Sequence, residues 1–591
     1  MTYKAPVDDI MRALKSAAGL SDLSQRGITE GLDEETLRAI IEEAGRFGAE
    51  VLDPLNVVGD RTGSRLVDGA VVTPPGWKEA YEGFAAGGWS ALPCPEDFGG
   101  QGLPEIVAAV ACEIWNSANL SFGLCPLLTQ GAINALHAEG SEELKQTYLP
   151  KMISGQWTGT MNLTEPQAGS DLGALTTKAE RQADGTYKIT GTKIFITYGD
   201  HEMVENIIHL VLARLTDAPP GTRGISLFVV PKYLVNADGS LGARNDVTCV
   251  SLEHKLGIHA SPTCVMKYGE QGGAIGYLVG EENRGLNAMF IMMNAARLAV
   301  GVQGVAIAER ATQHAAAYAA ERKQGRAPGF DGMAPIIAHP DIRRSLLTMK
   351  SMTQAARAIC LATAREIDIS HRGKSEAERQ QAAARGALLT PIAKAFSTDI
   401  ACEVASIGVQ IHGGMGFIEE TGAAQYYRDA RILPIYEGTN GIQALDLVAR
   451  KLPLEDGQVV ELYLGELAAT VEELHASNNP ALGRMADRLT DALAALAEAS
   501  RWLGKALRSN PEAAQAGATP YLRLFGLVAG GVYLAREALA AARDSGDASD
   551  DAILLARFFA ENLVTAAPGL AQSVTDGADT ILALLPERLA S

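Results

Sequence analysis

The sequence predicts a mainly α protein with a central β-barrel or sandwich unit and a further helical unit after the main body. Three observations carry this prediction. Residues 158–283 break into short β-rich runs separated by Gly, Asp and Pro clusters. The stretches on either side place apolar residues at helical spacing. Residues 453–591 form an Ala/Leu/Glu-rich tail with the same helical texture. At 591 residues the chain is far longer than one domain. Its 47% apolar and 20% charged residues supply ample core material.

Residues 1–157 read mainly as helix, clearest over 34–52 and 142–153, and the Pro/Gly-rich stretch 92–104 reads as a loop. Strands are expected at 187–190, 193–197, 207–215, 224–230, 247–252, 263–268 and 274–279. From 284 to 452 the helical pattern returns in three long runs, 286–323, 342–369 and 376–411. Helices apolar over so much of their surface belong inside a bundle. The tail holds helical runs at 458–476, 485–507 and 519–543. The expected units are therefore 1–157, 158–283, 284–452 and 453–591.

The net charge of −19 speaks against nucleic acid as a partner, because phosphate binding needs a basic face. It does not exclude an anionic cofactor held locally by a few Arg side chains and helix N-termini. The seven cysteines are scattered without paired spacing and read as reduced, mostly buried thiols. The ten histidines form no metal-binding pattern. The first nine residues lack the basic and apolar regions of a signal peptide, and no apolar run reads as long enough to span a bilayer. A cytoplasmic protein with no membrane span is expected.

Four segments could carry chemistry, and each has a plainer reading. Met161-Asn-Leu-Thr-Glu-Pro-Gln-Ala-Gly-Ser-Asp171 is a tight loop with hydroxyls at Thr164 and Ser170, suited to a heteroaromatic ring or an anion, or simply a capped turn entering a strand. Gly191-Thr-Lys-Ile-Phe-Ile-Thr197 places an aromatic near a hydroxyl, for ring stacking or as an ordinary half-buried strand. Gln410-Ile-His-Gly-Gly-Met-Gly-Phe417 allows close backbone approach to a ligand, or is a Gly-rich turn between helices. Tyr427 to Gln443 contains Glu437 after the apolar residues Leu433 to Tyr436. A carboxylate held against apolar surroundings is desolvated towards the pKa of a general base, whereas the plainer reading is a surface Glu at a helix start.

Taken in order and spacing, these segments, with Asn294-Ala-Ala-Arg297 and Glu321-Arg-Lys-Gln-Gly325, resemble the acyl-CoA dehydrogenase family over residues 35–452. The tail and Tyr198-Gly-Asp-His-Glu-Met-Val-Glu-Asn-Ile-Ile-His209 look most like its long subgroup, whose members act on 3-methylmercaptopropionyl-CoA or on ordinary fatty acyl-CoAs. The resemblance implies the family fold of helical, β and four-helix-bundle units, here with an added helical domain. It also implies FAD as cofactor. Leu163, Thr164, Gly169, Ser170, Phe195 and Thr197 would contact the flavin, with Phe195 standing where many members carry Trp. Arg322, Gln324, Gln410, Gly413 and Gly414 would reach the FAD of a neighbouring subunit, and Thr439 and Asn440 would complete the cofactor contacts. Ser170, Asn294, Arg297 and the Gly438 backbone would line the acyl-CoA site.

The family places its base at either of two positions. Ala296 occupies one of them here, which leaves Glu437. The resemblance implies that Glu437 takes the α-proton and flavin N5 the β-hydride, giving the trans-2-enoyl-CoA from 3-methylmercaptopropionyl-CoA or a short- or medium-chain acyl-CoA. An electron-transfer flavoprotein is the expected acceptor and a homodimer or higher homo-oligomer the expected assembly. An acyl-CoA oxidase that lets O2 reach the flavin, and a non-catalytic flavoprotein subunit, are the alternatives open at this point.

Overall fold

The structure is a computed structural model that describes residues 2–543 and 547–590. The chain is mostly helical around a β unit. Three helices close the N-terminal region: α1 (Glu105–Ala118), α2 (Leu120–Glu139) and α3 (Glu142–Ile153). Their starts follow from sequence, since Asn119 and Ser141 accept backbone N–H bonds as N-caps of α2 and α3. A hairpin of Arg65–Val67 and Ala70–Val72 also lies here, within a region expected to be mainly helical.

The β unit contains β1 (Trp157–Asn162), β2 (Lys178–Arg181), β3 (Tyr187–Thr197), β4 (Asn206–Leu215), β5 (Ile225–Pro231), β6 (Val247–Leu252), β7 (Thr263–Tyr268) and β8 (Ala274–Val279). Pairing runs β6-β7-β3-β8-β5-β4-β1. Strand β2 bonds to both β3 and β4, so β3, β8, β5, β4 and β2 close a ring of pairings. Strands 187–190 and 193–197 of the sequence reading are one continuous β3.

Residues 284–452 hold three long helices, α4 (Gly285–Glu321), α5 (Pro340–Arg372) and α6 (Glu376–His412), and the short α7 (Asn440–Asp446). The helical bundle expected over 284–452 is present, with these three long helices as its main members. Further walls come from elsewhere in the chain: α1 and α2 pack against α4. The tail supplies α8 (Gln458–Ser477), α9 (Met485–Ser509) and α10 (Ala518–Ala541), and α10 packs on α5 and α6. Gly526 of α10 makes this approach possible, since a Cβ there would stand 2.2 Å from Phe396 Cδ2. The tail therefore shares one apolar core with the bundle and the N-terminal helices.

The expectation that no apolar run is long enough to span a membrane is corrected. By length and composition, Gly285–Glu321, Ala518–Ala541 and Ser549–Asp576 all are. The most apolar windows of the first two are 61% and 83% buried within the protein, against 33% for the third.

Candidate active site

The β unit presents one side of the site. Strand β1 ends at Asn162, whose amide is fixed inside the unit: Tyr268 Oη donates to Asn162 Oδ1 (2.7 Å), and Asn162 Nδ2 donates to Thr160 Oγ1 (2.8 Å). The chain then leaves as Leu163-Thr164, and Ile194 N donates to Thr164 O at 2.9 Å, tying this loop to β3. Beneath it Lys193 Nζ donates to Leu163 O and Glu165 Oε1, both at 2.9 Å. Glu165 also accepts from the N–H and hydroxyl of Thr176 and of Thr177. Burial raises the Glu165 pKa, but Lys193 and these donors more than offset it and leave the carboxyl at about 2. Burial pulls the Lys193 ammonium down to about 8 even with Glu165 beside it.

Phe195 lies where β3 bulges. Cys264 pairs with Ile196 and Met266 with Lys193, so Ile194 and Phe195 oppose the single Val265. The bulge puts Phe195 at φ +60° and leaves it 58% exposed. Such a large exposed aromatic, beside the half-exposed Thr164 and the exposed Gly169 and Ser170, fits a planar ring laid across the strand. Thr197, two residues on, pairs with Thr263.

Glu437 faces the site from the loop before α7. It and Gly438 are both left-handed, at φ +54° and +89°. For a glutamate this costs on the order of 1–3 kcal/mol and persists only where the surroundings hold it. They do so here: Asn440 N donates to Pro434 O (2.9 Å), Tyr436 N donates to Ile432 O (3.2 Å), and the Thr439 hydroxyl caps α7. The Tyr436 hydroxyl donates to Gln303 Oε1. Glu437 Oε2 is buried without a hydrogen-bond partner, and among the described residues the Glu437 N–H donates to none. Burial raises the carboxyl to about 7, against the lowering pull of Lys394 and Arg297.

A largely apolar cavity of about 100 Å³ is lined by Phe84, Trp89, Cys112, Trp115 and Leu127 among others, and Glu437 is not part of its lining. Ala296 stands in its wall, so the alternative base position offers only a methyl group. Gln303 Nε2 donates to Asn116 Oδ1 (3.0 Å), and Asn116 lines the cavity, so a buried polar chain joins the loop to the cavity wall. Arg297, half-buried, donates to the exposed Asn294 at 3.1 Å.

Other sequence-predicted residues fall elsewhere. Arg322 caps the far end of α4, roughly 37 Å along the helix from Arg297. Tyr318 stacks on His412 with ring centroids 4.4 Å apart, which brings the far ends of α4 and α6 together. Arg322, Gln324, Gln410, Gly413 and Gly414 are all exposed in that region rather than beside Glu437. The Asn440 side chain is engaged within the bundle: Oδ1 accepts from Lys394 (2.8 Å), and Nδ2 donates to Ala395 O (3.1 Å) and Asp399 (2.7 Å). Sequence reasoning missed Lys394, Gln303 and the Glu165–Lys193 pair. The available signal was polarity out of place: Lys394 is the lone charge between Arg385 and Asp399.

Known proteins are similar to this chain in sequence and in fold. Family models match along the chain as acyl-CoA dehydrogenase N-terminal domain (34–156), middle domain (160–269) and C-terminal domain (283–452). An acetyl-CoA dehydrogenase C-terminal-like model matches 463–585. A 3-methylmercaptopropionyl-CoA dehydrogenase of Ruegeria pomeroyi is 50% identical, with 98% of this chain and 99% of that protein covered. A butyryl-CoA dehydrogenase of Syntrophomonas wolfei is 36% identical over 94% of this chain and 93% of its own. The fold is shared with an acyl-CoA dehydrogenase from Bacillus anthracis solved with FAD, at a TM-score of 0.75 and 22% identity, covering 95% of this chain and 90% of that one.

Proposed function

The chain belongs to the acyl-CoA dehydrogenase family and catalyses FAD-dependent dehydrogenation of an acyl-CoA thioester, and we propose that Glu437 is the base that removes the α-proton. One observation carries this reading: a half-buried glutamate, held in a strained backbone, whose buried Oε2 no donor among the described residues satisfies.

A thioester α-proton is too weakly acidic for a solvated carboxylate. Desolvation brings Glu437 to about 7, and its unpartnered Oε2 is free to accept the proton. The free Glu437 N–H can donate to the thioester oxygen, where negative charge develops. The apolar cavity takes the acyl chain and keeps water from the reacting carbons. Bound FAD supplies the acceptor for the β-hydride. Leu163, Thr164, Gly169, Ser170, Phe195 and Thr197 would hold its ring, while Ser170, Asn294, Arg297 and Gly438 would take the CoA thioester. In Glu437→Gln, FAD content should persist while turnover falls by at least about 10²–10⁴-fold. Near-normal turnover by that variant refutes the assignment.

Full-length similarity to the Ruegeria protein supports 3-methylmercaptopropionyl-CoA as substrate, with short- and medium-chain acyl-CoAs as competitors. The cavity adds a physical reason, since its lining includes the aromatic rings of Trp89 and Trp115, which can contact a thioether sulfur. Such contacts contribute about 0.3–1.5 kcal/mol, so kcat/KM for this thioester should exceed that for pentanoyl-CoA by about 2- to 10-fold. A steady-state scan across chain lengths decides it, and a preference for longer chains overturns it. The same reading gives an electron-transfer flavoprotein as acceptor and a homodimer or higher oligomer, in which Arg322, Gln324, Gln410, Gly413 and Gly414 meet a neighbour's FAD. It places the protein in the cytoplasm.

A further inference from the structure

The geometry points to Lys394 as a positioning residue that grips the Glu437 loop through Asn440, an inference that rests on Glu437 being the base. Lys394 is fully buried in the middle of α6, in an otherwise uncharged run from Gly386 to Phe396. A buried ammonium there is costly, and a well-packed bundle gains nothing from it without a compensating charge. Its Nζ donates to Asn440 Oδ1 at 2.8 Å. Asn440 closes the loop by donating its own N–H to Pro434 O, and Glu437 lies between those two residues. Holding Asn440 therefore holds the turn that keeps Glu437 in its left-handed conformation.

The electrostatics agree with the geometry. Lys394 and Arg297 favour the ionised form of Glu437, and Glu437 in turn is the largest influence raising Lys394, which burial pulls to about 7. The charged groups around them are Asp399 on α6, Arg297 on α4, and Asp446 and Arg450 beyond the loop. Tyr436 adjoins Glu437 on the loop itself, with Cys112 of α1 near its hydroxyl. An opposite charge lowers a carboxyl pKa, so deleting the Lys394 charge must raise it.

The test is the pH profile of kcat/KM in FAD-loaded Lys394→Met and Lys394→Arg, with infrared difference titration of the Glu437 carboxyl against a Glu437→Gln background. In Lys394→Met the acid limb should move up by about 1 pH unit or more, and the protonated-carboxyl band should persist to correspondingly higher pH. Lys394→Arg should restore both. If Lys394→Met does not load FAD, Lys394→Gln keeps a partner for Asn440 without the charge and is read identically. A limb and a band unmoved by loss of the charge overturn the proposal, and so does a shift that arginine does not reverse. The infrared band reports on the carboxyl whether or not it is the base. A Glu437→Gln enzyme with normal turnover therefore sinks the base assignment separately.

Discussion

Phe195 and Glu437 stand on different domains, yet both are large residues in the left-handed region of φ. Each pays a local conformational cost, and in return each aims a functional side chain where regular structure would not place it. Phe195→Ala should keep the bulge but lose the stacking surface, weakening FAD retention by about 2- to 10-fold; equilibrium dialysis measures this, and unchanged retention removes Phe195 from the cofactor site. For Glu437 the raised pKa sets the pH dependence, since the base works only when ionised. The kcat/KM of the free enzyme should rise through about pH 7 and be lost below it. A profile already flat from pH 5 upward contradicts this. Glu437 was legible because a short motif marks its place. Lys394 was not, because nothing in the linear chain says that an α6 position 43 residues upstream faces that loop.

At the scale of the element, the floor of the flavin-side loop rests on the buried pair Glu165–Lys193 of the 163–165 turn and β3. Removing one partner strands the other charge, so Lys193→Met should cost on the order of 3–5 kcal/mol in denaturant unfolding. Because Glu165 is held well below its unfolded value, it stabilises the fold above about pH 4, and that contribution is lost as pH falls towards about 2. Acid unfolding of the wild type should therefore show this loss, and a Glu165→Gln variant should lack it. Long helices were readable nearly to their ends, as with the expected 376–411 against Glu376–His412, because a 3.6-residue apolar period persists over many turns. Strand β1 was not read. All six of its residues are buried and it pairs in parallel with β4, so it lacks the alternation that marks a half-buried strand.

Across the whole molecule, Arg357 of α5 joins three regions. Its guanidinium contacts Glu113 of α1 (2.7 Å) and Glu309 of α4 (2.8 Å) and donates to Gln354 (2.5 Å), which in turn donates to Glu537 of α10 (3.0 Å). Arg357→Met would leave Glu113 and Glu309 facing each other without a cation. A loss on the order of 3–5 kcal/mol is expected, with the tail and the bundle unfolding together. Two separate melting transitions would show that the network does not couple them. The sequence set the tail apart as a unit by composition, but only the packing of α10 on α5 and α6 makes it part of the core that backs Lys394 and the base loop.

The order of units, the long helices and the spacing of the motifs were determined by the sequence itself, since periodicity and turn chemistry act between residues close in the chain. Which carboxylate is desolvated, which amine answers it and which residues line the cavity were decided by the tertiary structure. Those properties depend on the dielectric surroundings and on charges brought together from α4, α6 and the loop before α7. No local pattern encodes them.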